Sequence, residues 1–146
     1  MTYVPPLWPV SVKGVALDAQ GRALLLHNER DEWELPGGRL EPGDPSPEAT
    51  VEREIAEETG WQVTVSDADL LDVWIYEPIP GRRVVIITYG CTVLTPDATP
   101  VLSHEHKKIG LFAPGEIPGL TMPDGYKKSI AAWHERLSKS AACERT

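Results

Sequence analysis

An α/β fold, with a mixed sheet held between helices, is the class this sequence predicts. Three observations carry it. Apolar, β-branched runs broken by turn signals occupy the start and the middle of the chain. One well-capped helix interrupts them after Ser46. A second amphipathic segment follows Pro123. Strands, helix, strands, helix is the order expected of a sheet covered by helices. The 146 residues suit one domain spanning 1–146, with only the two tails as candidates for disorder.

Taken in order, Ser11 to Asp18 alternates loosely and reads as a strand. Asp18-Ala-Gln-Gly21 is a turn signal, and Ala23 to His27 a second strand, so the two are expected to form a hairpin. Trp33-Glu-Leu35 is a short extended piece running into Pro36-Gly37-Gly38, and Arg39 to Pro45 is a Gly- and Pro-rich loop. Ser46 is a good N-cap, and Pro47 suits the first helical position. The helix continues to Thr59, where Gly60 is a natural terminator. Leu70 to Tyr76 and Arg83 to Leu94 form a long hairpin about Pro80-Gly81, and Lys107 to Phe112 is a further strand. Pro123 opens a last helix to about Leu137, with Tyr126, Ile130 and Trp133 on one apolar face.

Composition narrows the function. The hydrophobic fraction is 41%, the charged fraction 25% and the formal net charge −8. That balance is poor for nucleic acid, whose phosphates need Lys and Arg, and good for gathering divalent cations. Neither Cys91 nor Cys143 lies in a CxxC or His/Cys cluster, so zinc and a disulfide framework are not expected. A reducing, cytoplasmic setting fits. Met1 to Val10 lacks the pattern of a signal peptide, and no apolar run is long enough to span a membrane.

The chemistry lies in the first helix. At roughly 100° per residue, Glu54 and Glu58 stand about 40° apart, with Glu57 about 60° to the other side of Glu54. The three carboxylates share one arc beside the apolar stripe of Val51 and Ile55, at the rim of the buried face. Like charges at this spacing repel, more so at a partly buried rim. A hard cation such as Mg²⁺, which prefers oxygen ligands, would relieve that repulsion. A solvated acidic face is the plainer alternative. Three neighbours weigh against it: Arg53 can pair with Glu57, Gly37-Gly38 lets backbone approach a ligand closely, and Gly60 ends the helix directly after the carboxylates.

Gly38, Arg53-Glu54-Ile55-Ala56-Glu57-Glu58-Thr59-Gly60-Trp61 and the approach Trp33-Glu-Leu-Pro-Gly-Gly38 resemble the Nudix box. The resemblance implies a Nudix-like α/β/α sandwich. The early acidic position holds Asp44 instead of Glu, with eight residues before Arg53, one more than the pattern. This departure implies a reduced brace from Asp44 in the loop, with Glu41 as partial substitute.

The resemblance further implies a hydrolase that cleaves a diphosphate linkage in a small nucleotide. Glu54, Glu57 and Glu58, with the Gly37 carbonyl, would hold Mg²⁺ or Mn²⁺, and Arg53 would orient a catalytic carboxylate. Glu105, within Ser103-His104-Glu105-His106, is the candidate general base, and an ordinary loop carboxylate is the alternative. His104 and His106 are candidate bases or ligands on chemistry alone. Arg82 and Arg83 are candidates for substrate phosphates, against a polar strand entrance. Trp33, Trp74 and Tyr76 are candidates for stacking on a base, against a place in the core. ADP-ribose or a nucleotide sugar is the first substrate class and nucleoside triphosphates the second.

Two other classes stand beside this one. A nucleotide-binding module of the same fold would be expected to have lost some of the carboxylates. An RNA-processing hydrolase would want a basic surface. The oligomeric state is open, a homodimer included.

Overall fold

The structure is a computed structural model and describes residues 2–102 and 108–144. The strands are β1 (Val10–Val15), β2 (Ala23–His27), β3 (Trp33–Glu34), β4 (Gly37–Arg39), β5 (Val63–Thr64), β6 (Leu70–Ile79), β7 (Arg82–Gly90), β8 (Thr92–Val93) and β9 (Lys108–Phe112). The two α-helices are α1 (Pro47–Thr59) and α2 (Asp124–Glu144).

A four-stranded mixed sheet, ordered β4-β1-β7-β6, forms the centre. β1 runs parallel to β7, from Val10 opposite Val85 to Val15 opposite Gly90. β4 and β6 close the two sides antiparallel. A second sheet, β3-β2-β9, is antiparallel, and β5 pairs with β8.

The two helices cover opposite faces of the central sheet, as strand alternation requires. Val12 and Ala16 pack with Val51, Ile55 and Trp61 on the α1 side. Val15, Val84 and Ile86 pack with Tyr126, Ile130 and Trp133 on the α2 side. The Thr88 and Ser129 hydroxyls share a buried 2.7 Å hydrogen bond, which satisfies both polar groups where α2 meets β7.

Helix α1 has the predicted ends. The Ser46 hydroxyl accepts from the Ala49 N–H at 3.1 Å, and Gly60 terminates the helix at φ 77°. Such a cap contributes about 1 kcal/mol.

The expected β1–β2 hairpin is corrected. The turn is present: Asp18 Oδ1 accepts from the N–H groups of Gln20 and Arg22. Beyond an isolated Leu17–Ala23 bridge, however, the strands part into different sheets. Ala23 to Leu26 is fully buried, and a strand apolar on both faces belongs in a sheet interior, between two neighbours. β3 and β9 supply those neighbours.

Two boundaries also differ. The run to Leu94 breaks at Cys91, where Thr92–Val93 leaves β7 and pairs with β5. Helix α2 continues past Leu137 to Glu144. No helix among the described residues is long and apolar enough to cross a membrane.

Candidate active site

The candidate site is built where α1 meets β4. Val51 and Ile55 are fully buried and fix the helix's rotation. That rotation carries Glu58 inward, to 4% exposure, and leaves Glu54 half-buried. Glu57 turns outward, with its side chain 60% exposed. The shared arc therefore runs from the core into solvent.

Two glycines let the backbone meet these carboxylates. Gly37 takes φ +148°, and a side chain there would bring its Cβ to 2.0 Å from the Val12 carbonyl oxygen. Its N–H donates to Glu58 Oε1 at 2.9 Å in a buried bond. A Cβ on Gly38 would lie 2.5 Å from the carboxyl carbon of Glu54. Only glycine leaves room for Glu54 against this strand.

Arg53 gathers the remaining acids. Its guanidinium reaches Glu54 at 3.1 Å and Glu57 at 3.4 Å. Its other nitrogen reaches the two oxygens of Asp44 at 3.2 and 3.3 Å. With a third of the Arg53 side chain exposed, these pairs add little stability. Their geometry ties Asp44 and Glu54 to one guanidinium.

The expectation for Asp44 is corrected. Asp44 accepts from the Glu41 N–H at 2.9 Å as well as from Arg53, so it does brace the loop. The Glu41 N–H, with Arg53 beside it, holds the Asp44 carboxyl below the usual aspartate value. The extra residue lengthens the loop without moving this carboxylate out of reach. Glu41 contributes its backbone N–H here.

Sequence reasoning missed Lys13. It projects from β1 with 10% of its side chain exposed, and its ammonium lies 4.0 Å from Glu34. Burial alone would depress its pKa, but Tyr126, Glu34, Glu58 and Glu54 around it raise it. An internal cation is therefore held on β1 beside Glu34. The signal was a lone lysine within the otherwise weakly polar strand Val10–Val15.

A hard divalent cation fits this donor set. Glu54 and Glu58 offer carboxylate oxygens at one corner, and the glycines keep that corner free of side-chain carbon. Among the described residues, no three His, Cys, Asp or Glu side chains already converge as a metal cluster. Glu57 stands apart, held by Arg53.

Glu105, His104 and His106 lie outside the described residues. Arg82 and Arg83 open β7 and are exposed. Trp33 is half-buried, its ring edge-on to His27 at 5.0 Å and Phe112 at 4.7 Å. Trp74 packs edge-on to Tyr126, and Tyr76 donates to Glu32. All three aromatics pack against the α2-side core.

Comparison with known proteins gives a consistent picture. The family model of the NUDIX domain matches residues 7–134. A MutT-like protein of Streptomyces ambofaciens is 48% identical over 88 residues, 60% of this chain and 53% of that protein. The chain spans about half or less of the length of the curated relatives it matches. Among solved structures, a MutT protein from Methanosarcina mazei Go1 superposes with TM-score 0.75 at 23% identity, covering 92% of this chain and 98% of that one. A C. elegans Ap4A hydrolase gives TM-score 0.76 at 19% identity, covering 90% and 98%. These two likenesses are of fold.

Proposed function

Since this chain belongs to the NUDIX domain family, we propose that it is a hydrolase that cleaves a phosphoanhydride linkage in a small nucleotide with a divalent cation. The observation that supports this most is the corner where Glu54 and Glu58 meet Gly37 and Gly38, with Arg53 bound to Glu54. Glu54, Glu57 and Glu58, with the Gly37 carbonyl, would hold Mg²⁺ or Mn²⁺. The cation supplies neutralisation of phosphate charge and a lowered pKa for water.

The chain's own residues do the rest. Arg53 holds the Glu54 carboxylate in place from one side, and Asp44 anchors Arg53 from the other. Water adds to one phosphorus as the bond to the bridging oxygen breaks, and the departing phosphate takes the electron pair. Glu105 is the candidate to accept the proton from that water. Arg82 and Arg83 are the candidates for substrate phosphates, and Trp33 for the base. We place the whole chain, 1–146, in one catalytic domain. A cytoplasmic setting is part of this proposal.

The proposed substrate is a nucleoside diphosphate joined to a second group. ADP-ribose and nucleotide sugars stand first on the sequence, and nucleoside triphosphates second. The test is product release from a panel of ADP-ribose, nucleotide sugars, dinucleoside polyphosphates and nucleoside triphosphates, with and without Mg²⁺. Metal-dependent cleavage of one class is expected. A folded, metal-binding protein that cleaves none of them would be a nucleotide-binding module instead.

A further inference from the structure

Four guanidinium groups line one groove of about 480 Å³: Arg30, Arg39, Arg82 and Arg83. They come from three separate places: the loop after β2, the end of β4 and the start of β7. They are half of the chain's eight arginines, in a protein of net charge −8. Chance does not readily concentrate cations so, and like charges that share a groove repel one another.

Little among the described residues offsets that repulsion. Arg30 pairs with Glu32 at 3.0 Å. Among the described residues, Arg39, Arg82 and Arg83 have no carboxylate in ion-pairing reach. Arg83 instead lies over the half-exposed ring of Trp8, 5.2 Å from its centre. Guanidinium groups free of carboxylates, with Pro9 and Ile79 as apolar walls, are suited to phosphate oxygens, which they bind in forked pairs.

The groove and the carboxylate corner share strand β4: Arg39 lines the one, and Gly37 and Gly38 meet the carboxylates of the other. Arg39 follows Gly38, so it begins one strand step, roughly 3.3 Å, further along β4. Register puts Arg39 opposite Ser11 and Gly37 opposite Lys13. Arg39 and Lys13 are thus on the same, α2-covered face of the sheet, and Glu54 meets β4 at Gly38 from the α1 side. Arg82 shares that face through Val84 and Ile86.

We propose that this groove is a second anion subsite, which holds a phosphate of the substrate beyond the linkage that is cleaved. Within the proposed class, such a subsite favours nucleotides with three or more phosphates in a chain, the second choice on the sequence, over ADP-ribose and nucleotide sugars. The preference rests on the reading of Glu54 and Glu58 as the reacting corner. The subsite itself does not.

Inorganic tripolyphosphate, titrated into the metal-free protein with EDTA at physiological ionic strength, tests the subsite alone. Calorimetry and the fluorescence change that depends on Trp8, identified with Trp8→Phe, both report on it. Saturable binding is expected, weakened about tenfold or more in the double variant Arg82→Ala/Arg83→Ala and unchanged in Arg136→Ala, which lies outside the groove. Both groove positions are exposed, and a thermal melt confirms that the variants fold. Absence of saturable binding to the wild type, or equal loss in Arg136→Ala, overturns the proposal. Groove-dependent binding in a protein that hydrolyses no nucleotide would leave the subsite standing and remove the hydrolase reading.

Discussion

Glu58 combines a structural bond with a proposed chemical role, and one substitution separates them. Its buried oxygen accepts from the Gly37 N–H. In Glu58→Gln the amide oxygen can accept the same bond, so stability should change by less than about 1 kcal/mol. A lost cation ligand should lower kcat by roughly two orders of magnitude or more. Steady-state kinetics beside a denaturant melt would show both, and near-normal turnover would take Glu58 out of the site. The spacing of Glu54, Glu57 and Glu58 was legible because helical geometry is regular. Their unequal burial was not, since it depends on how Val51 and Ile55 seat the helix. Lys13 was harder still: its neighbours Glu34, Glu54 and Glu58 are distant in sequence, and only sheet pairing brings them together.

At the scale of elements, α1 and the loop before it act as one unit. Ser46, Pro47 and Gly60 mark the helix ends by local chemistry alone, and the structure matches the reading at both ends. The Asp44 brace, in contrast, spans nine residues, and a pattern with one residue too many could not reveal it. The brace has a pH signature. The folded-state pKa of Asp44 lies below its ordinary value of 3.8, because the Glu41 N–H and Arg53 favour the ionised form. Its contribution to stability is therefore complete well above that value and is lost as pH falls through the lower folded-state pKa. The stability difference between wild type and Asp44→Asn should stay flat from neutral pH to about 5 and shrink below about 4. Denaturant melts across that range would check it, and a difference that grew on acidification would refute the brace. Arg53→Lys should loosen the same unit, since an ammonium cannot hold Asp44 and Glu54 in a planar fork.

For the whole molecule, the balance of charge matters most. A chain of net charge −8 gathers carboxylates at one corner of β4 and arginines in a groove lined by the same strand's Arg39. Adding Mg²⁺ should raise the melting temperature by relieving repulsion among the carboxylates. At a hundredfold excess over Kd the stabilisation is about 2.7 kcal/mol, and each kcal/mol is worth about 2–4 °C for a larger single-domain chain. A differential scan with Mg²⁺ against the same ionic strength of a monovalent salt measures this. A flat melting temperature would count against a site that binds the cation before substrate arrives. The same scan on Glu58→Gln should show a smaller shift.

The sequence by itself determined the α/β class, the capped helix with its three carboxylates and the β6–β7 hairpin. Each is encoded within a few turns or strand lengths by periodicity, caps and turn residues. Tertiary structure alone decided that β1 and β2 part into different sheets, because β1 finds its partners in the distant β7 and β4. It also decided which carboxylate is buried, where Lys13 lies and how four scattered arginines come to share one groove. These depend on which segments pair and pack across long stretches of chain, and local sequence carries no record of that choice.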